Sequence, residues 1–97
     1  MSVKVFLELH LKPEVVDAVK GGFGKTLLDT RAFDGCEEIS VLQSQDDPCK
    51  LVIVEQWATR EHYEAYLAWR TERGDMDGMN AISSQPYQVH YYDFVRA

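Results

Sequence analysis

Residues 51–73 read LVIVEQWATREHYEAYLAWRTER. The first seven, Leu51 to Trp57, are apolar up to Glu55. An apolar run of this length, bounded by turn signals, reads as a strand covered on both faces. Thr59 stands where a helix N-cap belongs, and Gly74 stands where the helix that follows should stop near Arg73. The stretch is a strand feeding a helix.

The same pairing recurs on the N-terminal side. Val3, Val5, Leu7, Leu9 and Leu11 alternate with Lys4, Phe6, Glu8 and His10, the period of a strand with one strongly apolar face. Pro13 suits the first turn of a helix, and Val15, Val16, Val19, Phe23, Leu27 and Leu28 follow at roughly helical spacing. Inside it lies Gly21-Gly22-Phe23-Gly24-Lys25-Thr26, which ends like a phosphate-binding loop. That loop needs a glycine where Val19 stands, and a strand leading in. Neither condition is met. The glycines are expected to kink the helix or to let its backbone approach a neighbour.

Phe33-Asp34-Gly35 reads as a turn, Cys36 to Gln45 as a strand, and Asp46-Asp47-Pro48 as a hairpin break. Residues 75–85 are weakly patterned, a short helix and a loop, and Tyr87 to Val95 forms a last strand with aromatics on both faces. The order β-α-β-β-α-β over a single domain, residues 1–97, is the split βαβ of a ferredoxin-like α+β fold. Helices then cover one face of a four-stranded antiparallel sheet. Phe6, Tyr92 and Phe94 occupy the other, so the chain is expected to pair with a second copy as a homodimer. A solvent-exposed second face is the alternative.

Composition narrows the partners. A net charge of -6 opposes binding to nucleic acid or to an anionic membrane surface. No apolar run approaches the roughly 20 residues of a membrane span, and no leader pattern is read, so a cytoplasmic protein is expected. Aromatics make up 11% of the 97 residues, many rings for a small core. They call for a second chain or for a ring-lined ligand pocket. Cys36 and Cys49 fall at opposite ends of the expected hairpin and are read as free thiols.

The helix after Thr59 carries the unusual chemistry. Its inward stripe is His62, Tyr63, Tyr66, Trp69, Arg70 and Arg73 around a single Leu67, with Trp57 entering from the strand. A core built only for stability rarely uses so many N–H and O–H groups that need partners. Two readings stand side by side: a cavity binding a planar ligand, and a dimer interface, where Trp, Tyr and Arg are also enriched. Under the second, Arg70 pairs with Glu55 or with an acid of the partner chain.

Strands one and three are expected to run parallel, bringing His10, His62 and His90 toward the Trp57 end. No metal is assigned, since neither HxxxH nor HxH spacing occurs. His10 or His62 is the candidate general base, against the alternative of ordinary surface or hydrogen-bonded histidines. No GxSxG elbow is present, and neither cysteine has an adjacent histidine.

The segment GCEEISVLQSQDDPCKLVIVEQWATREHYEAYLAWR resembles the antibiotic biosynthesis monooxygenase superfamily. Gly35-Cys36, the Asp-Pro break, Glu55 and Trp57 closing the strand, and the amphipathic helix beyond carry the likeness. The resemblance implies a homodimer of ferredoxin-like chains forming an α+β barrel. It also implies oxidation of a phenolic, hydroquinone or anthrone-type aromatic by O2 with no cofactor. A histidine often stands nine residues after the tryptophan in this family; here that position is Tyr66. The haem-degrading branch carries an asparagine in its first strand, and residues 3–11 contain none. The expected catalytic set is His62, Tyr66, Arg70 and His10, with Trp57, Tyr63, Trp69 and Tyr91 packing the small aromatic substrate. The contrasting expectation is a non-catalytic dimeric domain that binds a small molecule in the same pocket.

Overall fold

Alternation along the first strand decides which side of the sheet is inside. In the computed structural model, which describes residues 1–97, β1 (Val3–His10) buries Val3, Val5, Leu7 and Leu9 and leaves Lys4, Phe6, Glu8 and His10 half-buried on the other face. A 3-10 turn at Pro13–Val15 leads into α1 (Val16–Ala32). Gly35, at φ 91°, then turns the chain into β2 (Cys36–Gln43), which a hairpin joins to β3 (Lys50–Trp57). Thr59 caps α2 (Arg60–Glu72) by accepting from the backbone N–H of His62 at 3.1 Å. Gly74, at φ 84°, ends that helix and starts α3 (Asp75–Ala81), before β4 (Gln88–Asp93) closes the chain.

The four strands lie in the order β2-β3-β1-β4, every neighbour antiparallel. The ferredoxin-like α+β architecture expected from the element order is therefore present. One detail is corrected. β1 and β3 are antiparallel, with Val3 opposite Trp57 and His10 opposite Lys50. The crossover through α1 returns β2 parallel to β1, and the β2–β3 hairpin then reverses the chain.

The glycines of α1 also differ from expectation. The helix runs unbroken through Gly21, Gly22 and Gly24, and a Cβ at any of the three would meet nothing within 4 Å. They neither break the helix nor bring a neighbour close. The stretch sits in mid-helix with no strand leading in, so it is no phosphate loop.

The helices cover the sheet face that carries Val5, Leu7, Ile53 and Leu51. The opposite face holds Phe6, Val52 and Val54 half-buried, flanked by Leu42 and Tyr92, which are 55% and 52% exposed. No element of the same chain covers it.

Candidate functional site

Glu55 interrupts the apolar run of β3 on its inward side. It faces Val5 of β1 and Ile39 of β2, between Ile53 and Trp57, and is only 2% exposed. Trp57 Nε1–H donates to Glu55 Oε1 at 3.1 Å. No buried side-chain N or O atom in the structure lacks a partner, so the second carboxylate oxygen is left at an accessible wall. Burial pushes the Glu55 carboxyl up to about 7, against partial relief from the Trp57 hydrogen bond and from the Arg70 charge.

That wall belongs to a half-open cavity of about 580 Å³ between the sheet and all three helices. Leu7, Ile39 and Ile53 form its floor beside Glu55; Tyr63, Tyr66 and Arg70 come from α2, Phe23 and Leu27 from α1, and Met76 and Met79 from α3. Its size lies within the range of small-molecule sites. A shallower depression of about 440 Å³ runs along the β2 edge near Lys4, Arg31 and Cys36. None of its lining residues is buried, so its charges are screened by solvent and it is the weaker candidate.

Arg70 ties the cavity wall together. Its Nε–H donates to Tyr66 Oη at 2.9 Å, Nη1 to Asp75 at 3.0 Å, and Nη2 to the Thr26 carbonyl at 2.9 Å and to Thr30 Oγ1 at 3.1 Å. α1, α2 and α3 are thus joined through one guanidinium that is 5% exposed. Its carboxylate partner is Asp75, which also takes Arg73, and Glu55 feels it only through space. Four of the five guanidinium N–H groups are engaged. Tyr66 Oη and Thr30 Oγ1 lie 2.7 Å apart. Burial raises the Tyr66 phenol, opposed by the hydrogen bonds from Thr30 and Arg70, and raises Tyr63 further, with the Glu55 charge adding to the effect.

Of the residues expected as catalytic or as packing the substrate, the cavity unites Tyr63, Tyr66 and Arg70. The others lie elsewhere. Trp57 is fully enclosed one layer behind, packed on Tyr63 and Tyr66 at ring separations of 5.7 and 5.0 Å. Trp69 stacks against Phe33 and beneath Arg73, and Tyr91 lies under the Arg60 guanidinium at 3.7 Å. His62 shares a 2.7 Å hydrogen bond with Thr59 Oγ1 through Nδ1 and packs its ring on Gly35, outside the cavity.

The three histidines do not converge, which corrects the expectation drawn from parallel strands. His10 is at the far end of β1 from Trp57, and His90 sits opposite Phe6 on the open face, 3.6 Å from Glu8. Glu55, by contrast, is expected from the sequence only as a partner of Arg70 and not as a catalytic group. The signal that points to it is parity: Leu51, Ile53, Glu55 and Trp57 share one face, and the acid is buried once that face is the inner one.

A model of the antibiotic biosynthesis monooxygenase family matches residues 2–71. Among solved structures, an antibiotic biosynthesis monooxygenase is similar at 26% identity and a TM-score of 0.84, over 97% of this chain and 99% of its own. Rv0793 from Mycobacterium tuberculosis is similar at 18% identity and a TM-score of 0.84, over 100% and 98% of the two chains. A mutant of SnoaB, a cofactor-independent oxygenase from Streptomyces nogalater, shares the fold at 12% identity and a TM-score of 0.81, over 99% and 95%. Comparison with curated protein sequences gave no match.

Proposed function

The chain belongs to the antibiotic biosynthesis monooxygenase family, and from that premise we propose that it is a cofactor-independent monooxygenase of a small phenolic, hydroquinone or anthrone-type aromatic. The observation that carries this reading is the cavity itself: aromatic and aliphatic walls around a buried carboxyl and a buried guanidinium. A ring hydroxyl deprotonated there becomes an electron-rich anion that gives an electron to O2 directly. For an anthrone-type methylene, one oxygen atom enters as the new carbonyl and the other leaves as water. The protein supplies binding, a proton acceptor and charge stabilisation. Tyr66 and the fixed Arg70 charge face the developing oxyanion, and Tyr63 packs the ring. SnoaB, which shares this fold, is a cofactor-independent oxygenase, and its activity agrees with this chemistry.

The second reading is a non-catalytic dimeric small-molecule-binding domain. It is favoured by the engagement of Arg70, whose clamp on three helices leaves one N–H for a ligand. The open sheet face supports pairing with a second copy under either reading.

Oxygen uptake by the purified, metal-free protein with hydroquinones, anthrones and catechols separates the two. The monooxygenase reading expects uptake without added flavin or metal, falling about 10- to 100-fold in Tyr66→Phe if that hydroxyl steadies the anion. Tight binding of these compounds with no uptake establishes the binding domain instead.

A further inference from the structure

We propose that Glu55 is the proton acceptor of this cavity, and that it restricts the occupant to a neutral ring hydroxyl, a phenol or enol, in preference to an aryl carboxylate. The role in turnover rests on the monooxygenase reading; the selectivity does not. Three observations converge. Glu55 is the one carboxylate buried on the sheet floor of the cavity, one of its oxygens is fixed by Trp57 and the other is left at an accessible wall. The histidines that the sequence offered as bases lie outside the cavity lining.

The step is a proton transfer. The substrate O–H bond breaks, the proton goes to the free oxygen of Glu55, and the electron pair stays on the substrate oxygen. The transfer adds no charge to the cavity, because the negative unit passes from Glu55 to the substrate oxygen, so no further ion is desolvated. An aryl carboxylate would instead bring a second anion beside the first.

The remaining charges around Glu55 do not cancel that repulsion. Tyr63 and Tyr66 from α2 are held protonated by burial, and Cys36 from β2 is likewise raised by burial and then by the Glu55 charge. Arg70 and Arg73 share the one acid Asp75 of α3, and the positive charge left over offsets only part of the repulsion, since burial outweighs the pull of Arg70 on Glu55. From α1, Lys25 and Asp29 also line the cavity, as an opposed pair of charges on exposed positions.

The test uses two probes of one shape, 4-cyanophenol and 4-cyanobenzoate, on the wild-type chain and on Glu55→Gln. The amide oxygen of glutamine can still accept from Trp57 Nε1, so the variant is expected to fold. With a carboxyl titrating at about 7, the protonated fraction falls about 30-fold between roughly pH 6 and pH 8.5, and the apparent affinity for 4-cyanobenzoate falls with it. 4-Cyanophenol, itself half ionised at roughly pH 8, should follow a shallow bell over the same interval, with its affinity at pH 8.5 within about threefold of that at pH 6. Its binding near pH 8 should also raise the infrared band of a protonated carboxyl, absent in Glu55→Gln. Benzoate affinity that ignores pH in the wild type, or falls equally in Glu55→Gln, overturns the selectivity. Absence of the carboxyl band, or binding of neither probe, overturns the proton acceptor. These wild-type results decide the matter even if the variant misfolds. If both arms succeed and no phenol consumes oxygen, the monooxygenase reading fails while the acceptor role stands. If oxygen is consumed at the same kcat by Glu55→Gln, the acceptor role in turnover fails alone.

Discussion

Glu55 is costly to the chain that carries it. Its folded carboxyl titrates at about 7 against an ordinary 4.5, because burial disfavours the charged form. Below 4.5 the group is protonated folded or unfolded and exacts nothing. As pH rises through that value the unfolded chain releases the proton first, and above about 7 the penalty is complete, about 3 kcal/mol. Glu55→Gln should therefore be more stable than the wild type at pH 8, by up to about 3 kcal/mol, and nearly equal to it near pH 4.5. Urea unfolding at several pH values measures this; parallel stability curves across the range would refute the buried charge. A residue that weakens the fold at working pH fits a functional position better than a structural one. It was hidden in the sequence by its surroundings. In LVIVEQW apolar residues occupy both faces, so the inner series is fixed only when Val5 is seen opposite Glu55.

At the scale of elements, α2 was legible almost completely and α1 was not. Thr59, the helical stripe and Gly74 set α2 within a residue of its observed ends, and the same stripe delivered Tyr63, Tyr66 and Arg70 to the inside. In α1 the glycines read as an interruption, yet tertiary packing overrides their low propensity. Val16, Leu27 and Thr30 are buried, Val19 and Phe23 half-buried, and these hold the helix on the sheet while Gly21 and Gly24 face open space. Such glycines only loosen the unfolded-to-folded balance. Gly21→Ala and Gly24→Ala should each raise stability by about 0.5–1 kcal/mol, read as a shift of the denaturation midpoint with unchanged slope. Destabilisation by either would mean that the helix is strained or locally opened there. Strand direction was misread for a different reason. Alternation gives the faces of a strand but carries no sign for its direction, which follows from the crossover and the hairpin. With β1 reversed, His10 left the site and the histidine grouping dissolved.

At the scale of the molecule, the sheet has one face under helices and one face bare. Phe6, Val52 and Val54 form the middle of the bare face, with Leu42, Tyr92 and Phe94 around them, the last three each about half exposed. Lys4 with Glu38 and Lys50 with Glu8 stand among them as ion pairs at 3.4 and 4.0 Å. An apolar centre with charges at its margin is the anatomy of an interface. The homodimer expected from the sequence would pair two such faces, the economical way to remove them from water. Val54 is the position that tests this without touching the cavity. It lies on β3, opposite Phe6 and Ser40, with its side chain on the bare face. In a lone chain a lysine there stays in water and costs little. In a paired sheet it places an uncompensated charge at the centre, an expense of several kcal/mol for each copy and enough to abolish association at micromolar concentration. Analytical ultracentrifugation should find the wild type dimeric and Val54→Lys monomeric, with the same circular dichroism. A monomeric wild type, or a Val54→Lys variant that still dimerises, would mean that this face is not where two copies meet. Oxygen uptake in a folded, monomeric Val54→Lys then asks the last structural question. The cavity is lined by one chain, from the sheet floor to all three helices, so its chemistry should survive when the partner is lost.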